Sequence, residues 1–162
     1  DALPICRVGE EYPEIEIQER LVDAMSAKML DPEFNKGIEV IVLPNLYGDI
    51  VTDVAAEHQG GLGTASSSNL GNKYAMFEAI HGTAPFLIDH NRGDYADPCS
   101  LIRAVGMLLA HIGYADRKQI LDQALDICTI TERRLVVTTD RDGASAAEFT
   151  DYLLETIDGL KK

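Results

Sequence analysis

A short apolar run that ends at a proline constrains the fold of this chain more than any other segment. Residues 40–43 read Val-Ile-Val-Leu, a length and a β-branched content typical of a buried strand. Pro44 follows directly and cannot donate a hydrogen bond to a strand ladder, so the strand should end there. A helix is then expected to begin near Gly48. The sequence therefore predicts a strand followed at once by a helix, as in an α/β fold.

The predicted helix carries carboxylates on one of its faces. Asp49 and Asp53 are spaced i, i+4, and Glu57 lies one turn further along. Stacked like charges of this kind disfavour an isolated helix by roughly 0.2–0.5 kcal/mol per pair, whereas a bound divalent cation would make them attractive. Mg²⁺ and Mn²⁺ both take oxygen ligands. Two interpretations remain: the two aspartates bind a cation, or Asp49 is a helix-start residue and Asp53 a solvated one.

A second motif lies further along the chain. Phe77 and Glu78 read as the end of a short strand, and residues 81–85 read His-Gly-Thr-Ala-Pro, a loop with a glycine turn and a proline stop. Such a loop offers backbone donors, and His81 offers a ring that can stack or hydrogen-bond. An ordinary turn can also contain a His-Gly pair, so spacing alone does not identify a ligand.

Taken together, the two motifs resemble signatures of the β-decarboxylating dehydrogenases, the isocitrate and isopropylmalate dehydrogenase family. Residues 45–53 match the metal signature of that family and residues 77–85 match its cofactor loop, in the family's order. The resemblance implies an α/β chain with the isopropylmalate-dehydrogenase-like three-layer fold, represented by its C-terminal half only. It further implies that residues 1–60 form part of the small dimerisation domain, with metal-binding helices, and residues 61–162 part of the large cofactor-binding domain.

The resemblance implies a divalent metal, Mg²⁺ or Mn²⁺, bound by Asp49 and Asp53. In the family a third carboxylate comes from the neighbouring subunit, on an earlier helix with a Val-Asp pattern, and Asp23 fits this pattern within a helix expected over residues 19–30. The spacing is slightly longer than usual, and the additional residues would fall in the polar turn 31–37, where insertions are tolerated. The alternative is that Asp23 is an exposed residue on an amphipathic helix.

The resemblance also implies NAD or NADP as cofactor. In the family the loop wraps the adenine end of the cofactor, and the glutamate before it lies near the nicotinamide ribose. An Asn-Pro pair of the family appears here as Asp-Pro. The implied cofactor-binding residues are Glu78, His81, Gly82, Thr83, Ala84 and Asp97.

The two positions that often distinguish NAD from NADP enzymes are occupied here by Phe86 and Leu87. Neither side chain can pair with a 2′-phosphate or accept a hydrogen bond from a 2′-hydroxyl, so the cofactor cannot be assigned from them. Arg92 or Arg141 could supply a phosphate contact, or both could be solvated loop charges. The glycine-rich residues 60–71 match neither a G-x-G-x-x-G fingerprint nor a P-loop, but they match the family's own segment at this place.

The remaining pattern is mostly helical. Helices are expected over residues 100–112 and 116–127, the first ended by Gly113, and a closing helix over residues 148–157. The tail of a helix is expected at the start of the chain, over residues 2–11. Short strands are expected at residues 15–17 and 135–137.

The acidic composition argues against several classes of binding partner. The net charge of −13 argues against binding to nucleic acid or to an anionic membrane surface, and it suits a site that collects cations. No apolar run approaches the roughly 20 residues of a membrane span. The three cysteines are scattered without C-x-x-C spacing and read as reduced thiols. We expect a cytoplasmic protein, with the mitochondrial matrix as the alternative.

The resemblance implies oxidation of a small 2-hydroxy acid followed by loss of CO₂, with the metal polarising the new carbonyl. Residues 45–50 and 81–85 are closer to the isocitrate members, which form 2-oxoglutarate in the tricarboxylic acid cycle. The family's catalytic lysine and tyrosine come from sequence upstream of residue 1, so no catalytic residue is assigned and the chain alone is expected to be inactive. We also expect a homodimer formed through residues 20–30 and 48–60. The alternative is a non-catalytic dimerisation or regulatory module of the same ancestry.

Overall fold

The computed structural model describes residues 3–161, which divide into two compact units. The first unit extends to Ala55 and the second begins at Ala56. Whether these units correspond to parts of the small and large domains of the family stays a prediction. The first unit contains three short helices and most of a longer one: α1 (Leu3–Gly9), α2 (Val22–Lys28), α3 (Pro32–Asn35) and α4 (Asn45–Gln59).

The second unit combines a hairpin with four further helices. Its regular elements are β1 (Ser66–Leu70), β2 (Ala75–Ala79), α5 (Pro85–Asp89), α6 (Cys99–His111), α7 (Ala115–Asp126) and α8 (Ala146–Leu160). Two 3₁₀ turns, Leu62–Thr64 and Gly93–Tyr95, flank the hairpin region, and a π-helical turn, Ile127–Thr131, extends α7. No helix among residues 3–161 is long and apolar enough to cross a membrane.

Each unit has its own apolar core. In the first unit, Met25 of α2 and Met29, which directly follows α2, are buried with Val51 of α4. In the second, α6, α7, the π-helical turn and α8 bury a larger cluster: Cys99, Ala124, Leu125, Cys128, Phe149, Tyr152 and Leu153. A capping box begins α8, because the Ser145 hydroxyl accepts from the Glu148 N–H and the Glu148 carboxylate accepts from the Ser145 N–H.

The hairpin is the only sheet among the described residues. β1 and β2 are antiparallel, and the register pairs Ser66 with Ala79 at one end and Leu70 with Ala75 at the other. Helix α6 packs against both strands. This arrangement places the residues that follow β2 beside the N-terminal turn of α6.

Three predicted strands do not form. Residues 15–17, 40–43 and 135–137 have no ladder partner within the described part of the chain. The side chain of Val40 is 78% exposed, so the run that read as a buried strand lies on the surface. β-branched residues favour an extended backbone, but a strand also needs a neighbour to receive its hydrogen bonds.

The helices were predicted more closely than the strands. α6 and α7 lie within one residue of the predicted ranges, and Gly113 follows α6 with a φ of 93°. The predicted start of α4 near Gly48 is wrong, because the helix begins at Asn45 and the Pro44 carbonyl accepts from the Gly48 N–H at 2.8 Å. α2 is shorter than predicted and α8 is longer.

Candidate functional site

Helix α4 presents two carboxylates on its exposed surface. Asp49 and Asp53 are both exposed, while Val51 between them is buried in the core of the first unit. Neither carboxylate accepts a hydrogen bond or forms an ion pair with any group that the structure describes. The protein therefore leaves both side chains available to an external cation.

Asp23 lies in the first turn of α2, also exposed, and its Oδ1 accepts from the Ala24 N–H at 2.8 Å. No three His, Cys, Asp or Glu side chains among the described residues lie close enough together to hold a metal ion. A single chain therefore does not bring Asp23 into one site with Asp49 and Asp53. The predicted site needs the third carboxylate from a second copy, so the assignment of all three residues stays a prediction.

The second predicted site begins at the end of the hairpin. Glu78 on β2 is exposed, and its Oε1 accepts from the Asn69 Nδ2 of β1 at 2.9 Å. His81, Gly82 and Thr83 follow as exposed loop residues, and His81 Nδ1 lies 2.9 Å from the Gly82 carbonyl oxygen. The loop thus leaves its backbone and the His81 ring accessible to a ligand.

The loop ends in a strained residue. Ala84 has φ 46° and ψ 57°, a left-handed conformation, directly before Pro85, the first residue of α5. This conformation costs a residue with a Cβ about 1–2 kcal/mol. Such strain persists where the surrounding structure determines the backbone, and it is common in segments that bind ligands.

Asp97 is half-buried and already has structural partners. Its Oδ1 accepts from the Cys99 N–H at 2.8 Å, at the start of α6. A Cβ added to Gly63 would lie 3.2 Å from the Asp97 Cβ, so the glycine-rich segment packs tightly against this side chain. Burial, together with a hydrogen bond to Asp97, raises the pKa of the Cys99 thiol, which therefore stays neutral.

Arg92 and Arg141 join two loops. The Arg92 guanidinium donates to the Thr139 carbonyl and lies 3.4 Å from the Asp140 carboxylate, while Arg141 donates to the Asn91 carbonyl at 3.2 Å. Arg92 is half-buried in this contact, whereas Arg141 remains an exposed loop charge. A contact from either one to a cofactor phosphate stays a prediction.

Sequence reasoning missed Ser100. This serine of α6 is completely buried; its hydroxyl accepts from the Ile80 N–H at 3.3 Å and donates to the Ala65 carbonyl. It therefore ties the residue before His81 to α6. The one signal in the sequence is a serine in the first turn of an otherwise apolar helix, which has no specific meaning by itself.

Comparison with known proteins identifies the family. A sequence profile described as isocitrate/isopropylmalate dehydrogenase matches residues 4–157, nearly the whole chain. The chain belongs to this family. The predicted resemblance to this family is thereby confirmed, and the chain is a member of an oxidoreductase family.

Curated relatives include enzymes of both branches. The chain is 42% identical over 156 residues to a regulatory subunit of the mitochondrial isocitrate dehydrogenase (NAD) of Dictyostelium discoideum, covering 94% of this chain and 42% of the relative. It is 43% identical over 118 residues to isocitrate dehydrogenase (NADP) of Rickettsia felis, covering 72% and 23%. It is 40% identical over 124 residues to 3-isopropylmalate dehydrogenase of Thermobifida fusca, covering 75% and 34%. The chain thus spans less than half the length of these relatives.

Solved structures confirm the fold class. Isocitrate dehydrogenase from Methylococcus capsulatus superposes with a TM-score of 0.85 at 35% identity, over 96% of this chain and 45% of that one. The TT0538 protein from Thermus thermophilus gives a TM-score of 0.82 at 31% identity, over 93% and 30%. The chain has the α/β fold of the isocitrate/isopropylmalate dehydrogenase family over the part that it covers.

Proposed function

We propose that this chain supplies the metal-binding and cofactor-binding part of a decarboxylating dehydrogenase that converts isocitrate to 2-oxoglutarate and CO₂. The observation that carries the proposal is the pair of exposed carboxylates on α4, which have no partner among the described residues. They occur in a chain of the isocitrate/isopropylmalate dehydrogenase family that also presents an open loop at residues 81–85. Isocitrate is preferred because both the mitochondrial and the Rickettsia relatives are named isocitrate dehydrogenases.

The donor set suits a hard divalent cation. Asp49 and Asp53 offer carboxylate oxygens, which Mg²⁺ and Mn²⁺ prefer, and Asp23 of a second copy would complete the set. Bound there, the cation would stabilise the negative charge that develops as CO₂ leaves, a contribution of several kcal/mol. The protein's own part is to hold the carboxylates in place, which the burial of Val51 achieves for α4.

The loop at residues 81–85 suits a nicotinamide cofactor. Nothing lies within 4 Å of a Cβ added to Gly82, so a ligand can approach the backbone there. Glu78, which precedes the loop in sequence, and Asp97, which follows it, would both border the bound cofactor. His81 would contact the adenine end of the cofactor. The choice between NAD and NADP is not assigned, because the Phe86 and Leu87 side chains can bind neither a 2′-phosphate nor a 2′-hydroxyl.

Nuclear magnetic resonance titration of the isotope-labelled chain tests the cofactor assignment. We expect NAD or NADP to shift the amide signals of residues 78–84, whereas the signals of α8 stay in place. Shifts confined to other residues, or no shifts at millimolar nucleotide, would overturn the assignment. The chain alone should form no NADH or NADPH from isocitrate, because the family's catalytic lysine and tyrosine have no counterpart in it.

A second candidate is a regulatory role within a larger dehydrogenase. It is favoured by one observation: the Dictyostelium relative, 42% identical over 94% of this chain, is named a regulatory subunit. A regulatory module that has lost cofactor binding would self-associate but show no shifts at residues 78–84. The same titration therefore separates the two functions.

A further inference from the structure

The hairpin register shows what the Ser100 hydroxyl replaces. The last pair of the ladder is Ser66 with Ala79, so the next pair in register would be Ala65 with Ile80. Residues of a hydrogen-bonded pair in an antiparallel ladder bond to each other directly, N–H to carbonyl. Here the Ser100 hydroxyl instead lies between the Ile80 N–H and the Ala65 carbonyl, accepting from one and donating to the other.

We propose that Ser100 is a positioning residue that ends the hairpin at Ala79 and sets where the loop at residues 81–85 begins. The inference rests on the proposed role of that loop in binding a nicotinamide cofactor. A hydroxyl is suited to the task because it can accept and donate at the same time. The side chain is fully buried in the first turn of α6, so its place is fixed by packing.

The same turn of α6 holds the other predicted cofactor-binding segment. The N–H of Cys99, the residue before Ser100, donates to the Asp97 carboxylate. Two consecutive residues of one helix therefore fix Asp97 and Ile80, which lie on opposite sides of the loop in sequence. A shift of this turn would move both segments together.

Removal of the hydroxyl has two structural outcomes, and both displace the loop. Either the Ala65 carbonyl and the Ile80 N–H lose their buried partner, or they close on each other and lengthen the ladder by one pair. In the second case Ile80 moves towards β1 and draws His81 with it. Each outcome changes the position from which the loop begins, so each should lower the affinity for a nucleotide about tenfold.

The test compares Ser100→Ala with Thr150→Val in nucleotide titrations of the labelled chain. The control also loses a hydroxyl, which in Thr150 donates to the Ala146 carbonyl within α8, a helix without any predicted cofactor residue. We expect Ser100→Ala to shift the amide signals of residues 80–83 before any nucleotide is added and to weaken nucleotide binding about tenfold. Thr150→Val should leave both the amide signals of residues 80–83 and the nucleotide affinity unchanged.

The outcomes distinguish the two proposals. If nucleotide causes no shifts in the wild-type protein, the proposed function fails. The amide signals of residues 80–83 in Ser100→Ala, compared with the wild type without nucleotide, still test the role of Ser100. If wild-type protein binds and folded Ser100→Ala binds equally well, the positioning role is wrong. Hydrogen exchange of wild-type protein covers the case in which Ser100→Ala does not fold. The Ile80 amide should exchange more slowly than those of His81 and Gly82, and equal rates would overturn the proposal.

Discussion

At the scale of single residues, the two carboxylates of α4 lie one helical turn apart and have no partner among the described residues. Some other exposed acids form ion pairs: Glu33 pairs with Lys36 and Asp158 with Lys161. Asp49 and Asp53 repel each other across one helical turn, so a cation between them removes an unfavourable interaction as well as gaining ligands.

The Asp53→Asn substitution should weaken binding of Mg²⁺ or Mn²⁺ to this chain. Wild-type binding is expected to be weak, because most ligands of the predicted site are missing from this chain. Loss of one charge and one oxygen ligand should reduce the affinity at least about tenfold, measured by titration calorimetry. Asp151→Asn on α8 is the matched control, an exposed aspartate of another helix, and should leave the isotherm unchanged. An unchanged isotherm for Asp53→Asn would show that Asp53 is not a metal ligand.

Tyr152 gives the chain a dependence of stability on alkaline pH. Burial, with a hydrogen bond to Glu132 at 2.7 Å, raises the pKa of Tyr152 from 10.0 to about 12. The unfolded chain loses this proton near pH 10 and the folded chain keeps it until about pH 12. The stabilisation is therefore complete below about pH 10 and is lost as the pH rises towards about 12.

Urea unfolding at about pH 9, 10 and 11 measures this effect. The free energy of unfolding should fall more steeply over this range in wild-type protein than in Tyr152→Phe, which has no phenol proton to lose. All other side chains are common to both proteins, so their contributions cancel in the comparison. Parallel curves would show that folding does not raise the pKa of the Tyr152 phenol.

Residue chemistry also limited what the sequence could predict. Asp23, Asp49 and Asp53 could be nominated because carboxylates in a known motif have a direct chemical meaning. Ser100 could not, because its role depends on Ala65 and Ile80, which reach it only through the register of the hairpin. A bridging hydroxyl has no local pattern.

At the scale of elements, helices depend on local patterns in the sequence, whereas strands depend on contacts with distant residues. α6, α7 and α8 were predictable because helical hydrogen bonds and apolar periodicity are both local. Residues 40–43 have the composition of a strand but gain no ladder, since pairing depends on a distant segment. The π-helical turn after α7 was also not predictable, although the Glu132 N–H to Ile127 carbonyl bond at 2.8 Å defines it clearly.

Two glycines should respond in opposite ways to replacement by alanine. A Cβ on Gly143 would lie 2.8 Å from the Thr138 backbone nitrogen and 2.9 Å from the Val136 carbonyl oxygen. Backbone atoms cannot move aside cheaply, so Gly143→Ala should destabilise the protein by about 1–3 kcal/mol. Gly159 in α8 has nothing within 4 Å of the added Cβ, and Gly159→Ala should stabilise by up to about 1 kcal/mol.

Thermal and urea unfolding of both variants and of the wild-type protein measure these changes in stability. Equal stability of Gly143→Ala and wild-type protein would show that the loop before α8 does not pack as described. Gly159→Ala controls for the effect of the substitution on the unfolded chain, because both variants lose the same backbone freedom there.

At the scale of the whole molecule, exposed apolar side chains on α4 favour self-association. The Ile50 side chain is 53% exposed, and Leu46 and Val54 are exposed on the same helix. We propose that residues 20–30 and 48–60 pack against a second copy of the chain. A twofold arrangement would bring Asp23 of one copy towards Asp49 and Asp53 of the other, so that assembly and metal binding support each other.

Ile50→Glu should therefore convert a dimer into a monomer, because it buries a charge in an apolar contact. Leu154→Glu on α8 is the control: Leu154 is 54% exposed, so an equal loss of apolar surface should leave the dimer intact. Sedimentation velocity at micromolar concentration measures the change. A wild-type monomer would remove both the interface and the shared metal site.

The presence of two separate cores has a consequence for cooperativity. Every buried residue of the larger core belongs to α6, α7, α8 or the π-helical turn, whereas the smaller core draws on Met25, Met29 and Val51. Local opening is governed by the core that breaks, so the few contacts of the smaller core allow it to open at a lower free energy. The helix that bears Asp49 and Asp53 should thus have a lower free energy of local opening than the turn that bears Ser100. Anything that binds those carboxylates would tighten the smaller core first, by mass action.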